Sequence, residues 1–446
     1  MNYHLFLDNF RGFSNTYIPI TDVNFLVGEN STGKTSIMGL IRLLSSPRFF
    51  FNQEFADEHV NFGHFSDIVS AHSADRSFFR LGFIREDTFR KNRKRIATGW
   101  LLTYIEDQGL PRLSTYTFCR GTTKISVRTG KTLSYKIEKS ATPPSGRDII
   151  STLLPQWVNE HSSGPNGYQK FDIPGGVPSN LPLFLALSLI RSHPMGLGDK
   201  RNKPRKGSVS FTFDAPDVSF SFLPEVTWVA PIRTKPRRTY DELTLDYSPE
   251  GTHTPYLIRK ILHSKSDAAS FKAFIENAGR ISGLFQDVRI KNFGREATAP
   301  FELDIVLDDK ALNLTTVGYG VSQALPVLVE IMARPRGTWF AIQQPEVHLH
   351  PRAQAALGDV LFEMAITEHK NFLIETHSDF TIDRFRMNYE KGKSAKPDSQ
   401  ILFFERRDKR NIVTPLRIGQ SGELPANQPD AYREFFIREE MRLLGI

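Results

Sequence analysis

Residues 23–36 read Val23-Asn24-Phe25-Leu26-Val27-Gly28-Glu29-Asn30-Ser31-Thr32-Gly33-Lys34-Thr35-Ser36, and from Gly28 onward they match the pattern G-x-x-x-x-G-K-[ST]. The run Val23 to Val27 is short and mostly apolar, as a buried strand requires. The run Ser36 to Leu44 has the apolar spacing of a helix. A Gly-rich turn with an incidental lysine is the plainer reading of such a loop, and the strand before it and the helix after it argue against that reading. Gly28 and Gly33 permit the tight turn. The backbone amides of Glu29, Asn30, Ser31 and Thr32, together with the helix start near Ser36, are then free to face phosphate. Lys34 is placed to neutralise the outer phosphates, and the Thr35 hydroxyl to meet a divalent cation.

At 446 residues the chain exceeds one average core, so two or three lobes are expected. Hydrophobic content of 39% and charged content of 24% suit a soluble globular protein, and 35 phenylalanines point to a Phe-rich core. No apolar run has transmembrane length and no leader is evident, so a cytoplasmic chain without membrane contact is expected. The single cysteine, Cys119, excludes an intrachain disulfide framework and a cysteine zinc cluster. The formal net charge of +8 favours polyanionic partners. Basic residues cluster at Arg90–Arg95, at Lys200–Lys206 and at Arg233, Lys235, Arg237 and Arg238. Each cluster reads either as a solvated loop or as a nucleic-acid phosphate contact.

Strands are predicted at Tyr3–Leu7, Thr16–Ile20, 78–85, 100–105 and as a pair over Leu113–Val127. Helices are predicted at Asp148–His161, Leu181–Arg191 and over about 254–286, with Pro- and Gly-rich breaks between the first two. Strands return at Val288–Lys291 and Phe301–Leu307. The last third alternates: strand 339–342, helix 351–366, strand 371–376, strand 400–404. Such alternation predicts an α/β fold with a mostly parallel, helix-covered sheet. No heptad pattern supports a long coiled-coil arm.

A nucleotide-hydrolysing site needs an acidic group at the end of a second strand. The segment in that place is Trp339-Phe340-Ala341-Ile342-Gln343-Gln344-Pro345-Glu346-Val347-His348-Leu349-His350-Pro351. It resembles the Walker B region E-E-P-E-x-H-L-H-P of the OLD/SMC/RecN-like ABC-class ATPases. Four further segments resemble that group: Asn9-Phe10-Arg11-Gly12-Phe13 its opening, Gly28–Ser36 its Walker A, Val317–Pro326 its signature and Glu375–Asp379 its switch-histidine motif. Pro231–Tyr240 followed by Pro249–Pro255 is similar to an arrangement in compact AAA-type ATPases of bacterial anti-phage defence systems, of the Septu and retron kind.

The resemblance implies an ABC-class P-loop NTPase head: a mostly parallel sheet with an antiparallel β subdomain, interrupted by a partly helical insertion. The expected boundaries are 1–105 and 301–446 for the two lobes, with 106–300 as the insertion. It implies ATP and Mg²⁺ as cofactors, with nucleotide contacts from Gly28 to Ser36 and from Arg11. Thr35 and Gln343 fall at the Mg²⁺ position, and Gln344, Glu346 and His377 at the catalytic positions. Gly318, Gly320, Ser322 and Gln323 would reach the nucleotide of a second copy, in an ATP-sandwiched dimer.

The departure from the family lies at Gln343 and Gln344, which stand where acids are usual. Glutamine orients water but cannot act as a carboxylate base. Either Glu346 takes over, or hydrolysis is slow and ATP binding itself is the switch. His377 reads as a γ-phosphate sensor or as a hydrogen-bonded structural residue, and His348 and His350 as parts of the loop or as an H-x-H metal pair. Arg233 and Arg238 read equally as interface residues. OLD proteins carry a Toprim nuclease after the ATPase, and too few residues follow His377 for one. The expected function is therefore the ATPase subunit of a defence complex with a separately encoded effector such as a nuclease. The alternative is a RecF/SMC-like ATPase that binds DNA.

Overall fold

Strand Val23–Gly28 is buried at all six positions and sits inside a six-stranded sheet. A computed structural model describes residues 2–88, 95–130, 132–164, 166–171, 222–231, 233–241, 246–296, 298–390 and 395–436. The side chains of the basic run 90–95, the run 200–206, the helix expected at 181–191 and the chain beyond Phe436 lie outside the described residues. The chain divides into two units, Met1–Tyr17 with Leu40–Glu225 and Ile18–Gly39 with Val226–Ile446.

The second unit carries the six-stranded sheet, in the order Val226–Val229, Trp339–Gln343, Asn371–Glu375, Val23–Gly28, Ser399–Arg407 and Arg410–Arg417. The first five run parallel and the last is antiparallel. Their apolar runs are continuous rather than alternating, because both faces are covered. Phe25, Val27, Phe340, Ile342, Phe372, Ile374, Ile401 and Phe403 share one core with Leu325, Leu328, Leu361 and Phe385. Full burial of each such side chain contributes about 1.5–3 kcal/mol. A small antiparallel sheet, Asp287–Asn292, Phe301–Leu307 and Lys310–Asn313, belongs to the same unit.

One predicted helix is divided. The stretch 254–286 forms two helices, Thr254–Leu262 and Ala268–Ser282, separated by the polar turn around Ser264 and Asp267. The second ends at Gly283, whose φ of 71° only glycine adopts cheaply. A further helix, Tyr319–Ala333, begins directly after Gly318. The Gly318 carbonyl accepts from the Val321 amide, which closes the first turn.

The first unit is built on antiparallel pairing, in the order Asn2–Asp8, Phe78–Thr88, Arg95–Asp107, Leu110–Arg120, Thr123–Arg128, Leu133–Lys139 and Gln169–Phe171. Phe6, Leu101, Cys119, Leu154 and Trp157 form a core in it. Phe55, Phe65, Phe79 and Tyr104 make ring contacts, with Phe79 stacked on Tyr104 at 5.0 Å. The helix expected over 148–161 is interrupted: Ile149–Leu153 is π-helical before Leu154–Ser162 resumes. Pro155 lacks an amide hydrogen and cannot complete the regular α ladder there.

Candidate nucleotide site

The loop after Val23–Gly28 holds its shape by backbone conformation. Gly28 has φ 144°, and a Cβ there would lie 2.0 Å from the carbonyl oxygen of Phe404 on the neighbouring strand. Gly33 follows at φ 96°, and Ser31 is left-handed at φ 63°. The Thr32 hydroxyl donates to the Glu29 carbonyl at 2.7 Å. Lys34 is buried, and its Nζ donates to the carbonyls of Gly28 and Glu29, both at 2.7 Å. Burial lowers the Lys34 pKa, opposed by the carboxylates of Glu375 and Glu29. A cation held in a bowl of backbone by its own loop is a ready partner for phosphate.

Three parallel strands finish beside that loop. In register, Gln343 pairs with Glu375, and Glu375 with Leu26 two residues before Gly28. The carboxyl ends of parallel strands are where α/β sheets place ligands. Glu375, buried at this edge, lies 3.2 and 3.4 Å from the Thr35 hydroxyl through its two carboxylate oxygens. The Gln343 amide donates from Nε2 to Glu375 Oε2 at 3.3 Å. Glu375 is not among the metal or catalytic residues that the motifs indicate, yet it carries a readable signal as an acid closing the apolar strand Asn371–Glu375.

Gln344 takes a left-handed backbone, φ 42°, and its amide donates to the Glu375 carbonyl at 2.8 Å. That turn brings Glu346 back beneath the strand ends, where Oε1 accepts from the backbone amide of His377 at 2.7 Å. Burial raises the Glu346 pKa, against the His377 amide, the Thr376 side chain and Arg233, which lower it. Arg233 is fully buried and donates to the carbonyls of Gln343 and Gln344 at 3.2 and 3.4 Å. Its guanidinium is pushed down to about 10 by burial, with Glu346 opposing. His377 is exposed as a residue, yet desolvation and then Lys34 still lower its pKa, while Glu375 raises it.

The glycines of the 318–323 segment differ from each other. A Cβ on Gly318 would meet nothing within 4 Å, and its φ is −57°. A Cβ on Gly320 would lie 2.8 Å from the His348 carbonyl. Ser322 is buried with its hydroxyl donating to the Tyr319 carbonyl at 2.8 Å, and Gln323 is buried beside it. His348 packs edge-on against the exposed Tyr319 ring at 4.9 Å. His350 accepts through Nδ1 from the Ala353 amide at 3.3 Å and so caps the helix Pro351–Thr367. Among the described residues no group of three or more His, Cys, Asp or Glu could hold a metal ion.

Arg11 belongs to the first unit, where it donates to the Phe62 carbonyl at 3.0 Å with its guanidinium 4.6 Å from the Phe62 ring centre. Among the described residues no helix is long and apolar enough to cross a membrane.

Among solved structures the chain is similar to the SMC head domain from Thermotoga maritima, with 13% identity and TM-score 0.38 over 93% of this chain and 98% of that one. It is also similar to the Smc head domain of Pyrococcus furiosus with an extended coiled coil, bound to the C-terminal domain of ScpA, with 11% identity and TM-score 0.39 over 99% and 100%. Among curated proteins none matches the chain. The family model described as AAA ATPase domain matches residues 4–85 and 235–382, which together include the loop Gly28–Ser36, the 318–323 segment and the strand ends at Gln343 and Glu375. As that match covers more than half of the sequence, the chain belongs to the AAA ATPase domain family.

Proposed function

We propose that this chain is the ATP-binding subunit of a bacterial anti-phage defence complex, an ABC-class head that closes on a second copy of itself around ATP and controls a separately encoded effector such as a nuclease. The observation that carries the reading is the contrast within one site. The phosphate loop is fully formed around Lys34, while the two strand-end positions beside it are the neutral Gln343 and Gln344. Such a site holds ATP better than it hydrolyses it, so the bound state lasts and acts as the switch.

In this reading the amides of Glu29 to Thr32 and Lys34 bind the phosphates, and Thr35 and Gln343 lie on the Mg²⁺ side. Thr35 and Gln343 would hold Mg²⁺ on that side, where it would supply positive charge to offset the negative charge of the phosphates. Gln344 orients water, Glu346 accepts its proton and His377 senses the outer phosphate. The segment from Gly318 to Gln323 faces the nucleotide of the partner copy. The defence assignment rests on the family resemblance of the sequence motifs.

The test is the mass of the purified chain with and without Mg-ATP, together with steady-state turnover. A dimer that forms with ATP and persists through slow turnover is expected. A monomer indifferent to nucleotide, or fast turnover, overturns the reading. The second reading, a DNA-binding ATPase of the RecF/SMC kind, is favoured by exposed Lys235, Arg237 and Arg238. It requires turnover stimulated by DNA with a steep dependence on salt.

A further inference from the structure

We propose that Glu375 supplies the carboxylate that orients Thr35 toward the nucleotide's divalent cation, in the place where Gln343 is neutral. The inference rests on the ATP-binding reading above.

The donor set fits a hard cation. Mg²⁺ in nucleotide sites takes most of its ligands from phosphates and water and needs few from the protein. A hydroxyl and one carboxylate therefore suffice, and no all-protein cage of acids is required. Both Glu375 oxygens lie near Thr35 Oγ1, at 3.2 and 3.4 Å. With its proton directed to that carboxylate, the Thr35 hydroxyl turns its lone pairs outward, toward the phosphate loop. Glu375 is thus a positioning residue, acting through Thr35 and adding the negative charge that Gln343 lacks.

Competing carboxylates are otherwise engaged or differently placed. Glu346 gives Oε1 to the His377 amide and faces Arg233. Glu29 is exposed on the loop. Glu375 is buried and anchored by its strand, and Gln343 holds its Oε2 from the adjacent strand end. The Gln343–Glu375 pair keeps the geometry of an amide–carboxylate hydrogen bond if the two residue types are exchanged. The charge is then moved to the second strand without loss of the bond.

Calorimetric titration of the full chain with ATP, in Mg²⁺ and in EDTA, tests this. Wild type should bind ATP more tightly with Mg²⁺. Glu375→Gln should lose about 10–100-fold of that Mg²⁺-dependent tightening. Its affinity in EDTA should be equal to wild type or higher, because a negative charge near Lys34 is gone. The exchange Gln343→Glu with Glu375→Gln should restore the Mg²⁺ response. A Glu375→Gln protein with the full Mg²⁺ response, or one that loses ATP equally in both buffers, overturns the proposal. So does an exchange variant that fails to recover. Wild type that binds no ATP in either buffer instead overturns the nucleotide reading itself, and the proposal with it.

Discussion

Gln343 Nε2 donates to Glu375 Oε2 over 3.3 Å, between the last residues of two neighbouring parallel strands. The pair joins a neutral strand end to an acidic one beside the phosphate loop. Its consequence is that negative charge at this edge enters from Asn371–Glu375 and not from Trp339–Gln343.

Lys34 donates two hydrogen bonds to its own loop, at 2.7 Å each. Lys34→Met keeps the stem and removes the charge. Since a hydrogen bond to a charged group contributes about 1.5–3 kcal/mol, ATP affinity should fall by about 10–100-fold. The melting temperature without ligand should stay near wild type, because burying the cation already costs stability. Calorimetry and thermal melting check the two expectations separately.

Gln344→Glu places a carboxylate at the strand end beside the phosphate loop, and turnover of Mg-ATP should rise by about 100-fold or more, the scale of general-base catalysis. Glu346→Gln should lower the residual rate of the wild type. If Gln344→Glu leaves turnover unchanged, slow hydrolysis has another cause.

If Glu346 is the base, it sets the pH dependence. A base acts only when deprotonated, and burial raises the pKa of Glu346. Residual turnover should then be present at high pH and fall as pH drops through a value higher than an exposed glutamate's. Glu346→Gln should abolish that acidic limb. A limb that survives the substitution assigns the titration to another group.

Gly318 and Gly320 separate fold from assembly. Gly320→Ala drives a Cβ to 2.8 Å from the His348 carbonyl, and such overpacking should cost about 1–3 kcal/mol of stability. Gly318→Ala meets nothing within 4 Å and should melt as wild type does. If Gly318 faces the partner's nucleotide, the Gly318→Ala chain should still bind ATP but dimerise poorly with it. Sedimentation with Mg-ATP distinguishes an assembly defect from an unaffected surface.

Much of the local structure was legible in the sequence. The apolar run Val23–Val27, the glycines of the loop and the helix after them act on near neighbours, so spacing alone indicates strand, turn and helix. The helix Pro351–Thr367 announces itself by proline at its first position. Boundaries were less secure. The start at Tyr319 accompanies one backbone bond to Gly318, and the π-helical stretch Ile149–Leu153 lies just before Pro155, whose nitrogen carries no hydrogen.

Relationships between distant segments were not legible. Composition placed Arg233 in a basic cluster, whereas its guanidinium is buried under the carbonyls of Gln343 and Gln344. Glu375 looked like the first letter of a histidine motif until strand order set it against Thr35 and Gln343. The sequence by itself determined which residues form strands, turns and helices, because those preferences are settled within a few residues. Only the tertiary structure decided which strand ends lie side by side, because parallel pairing depends on how the whole chain buries its apolar faces.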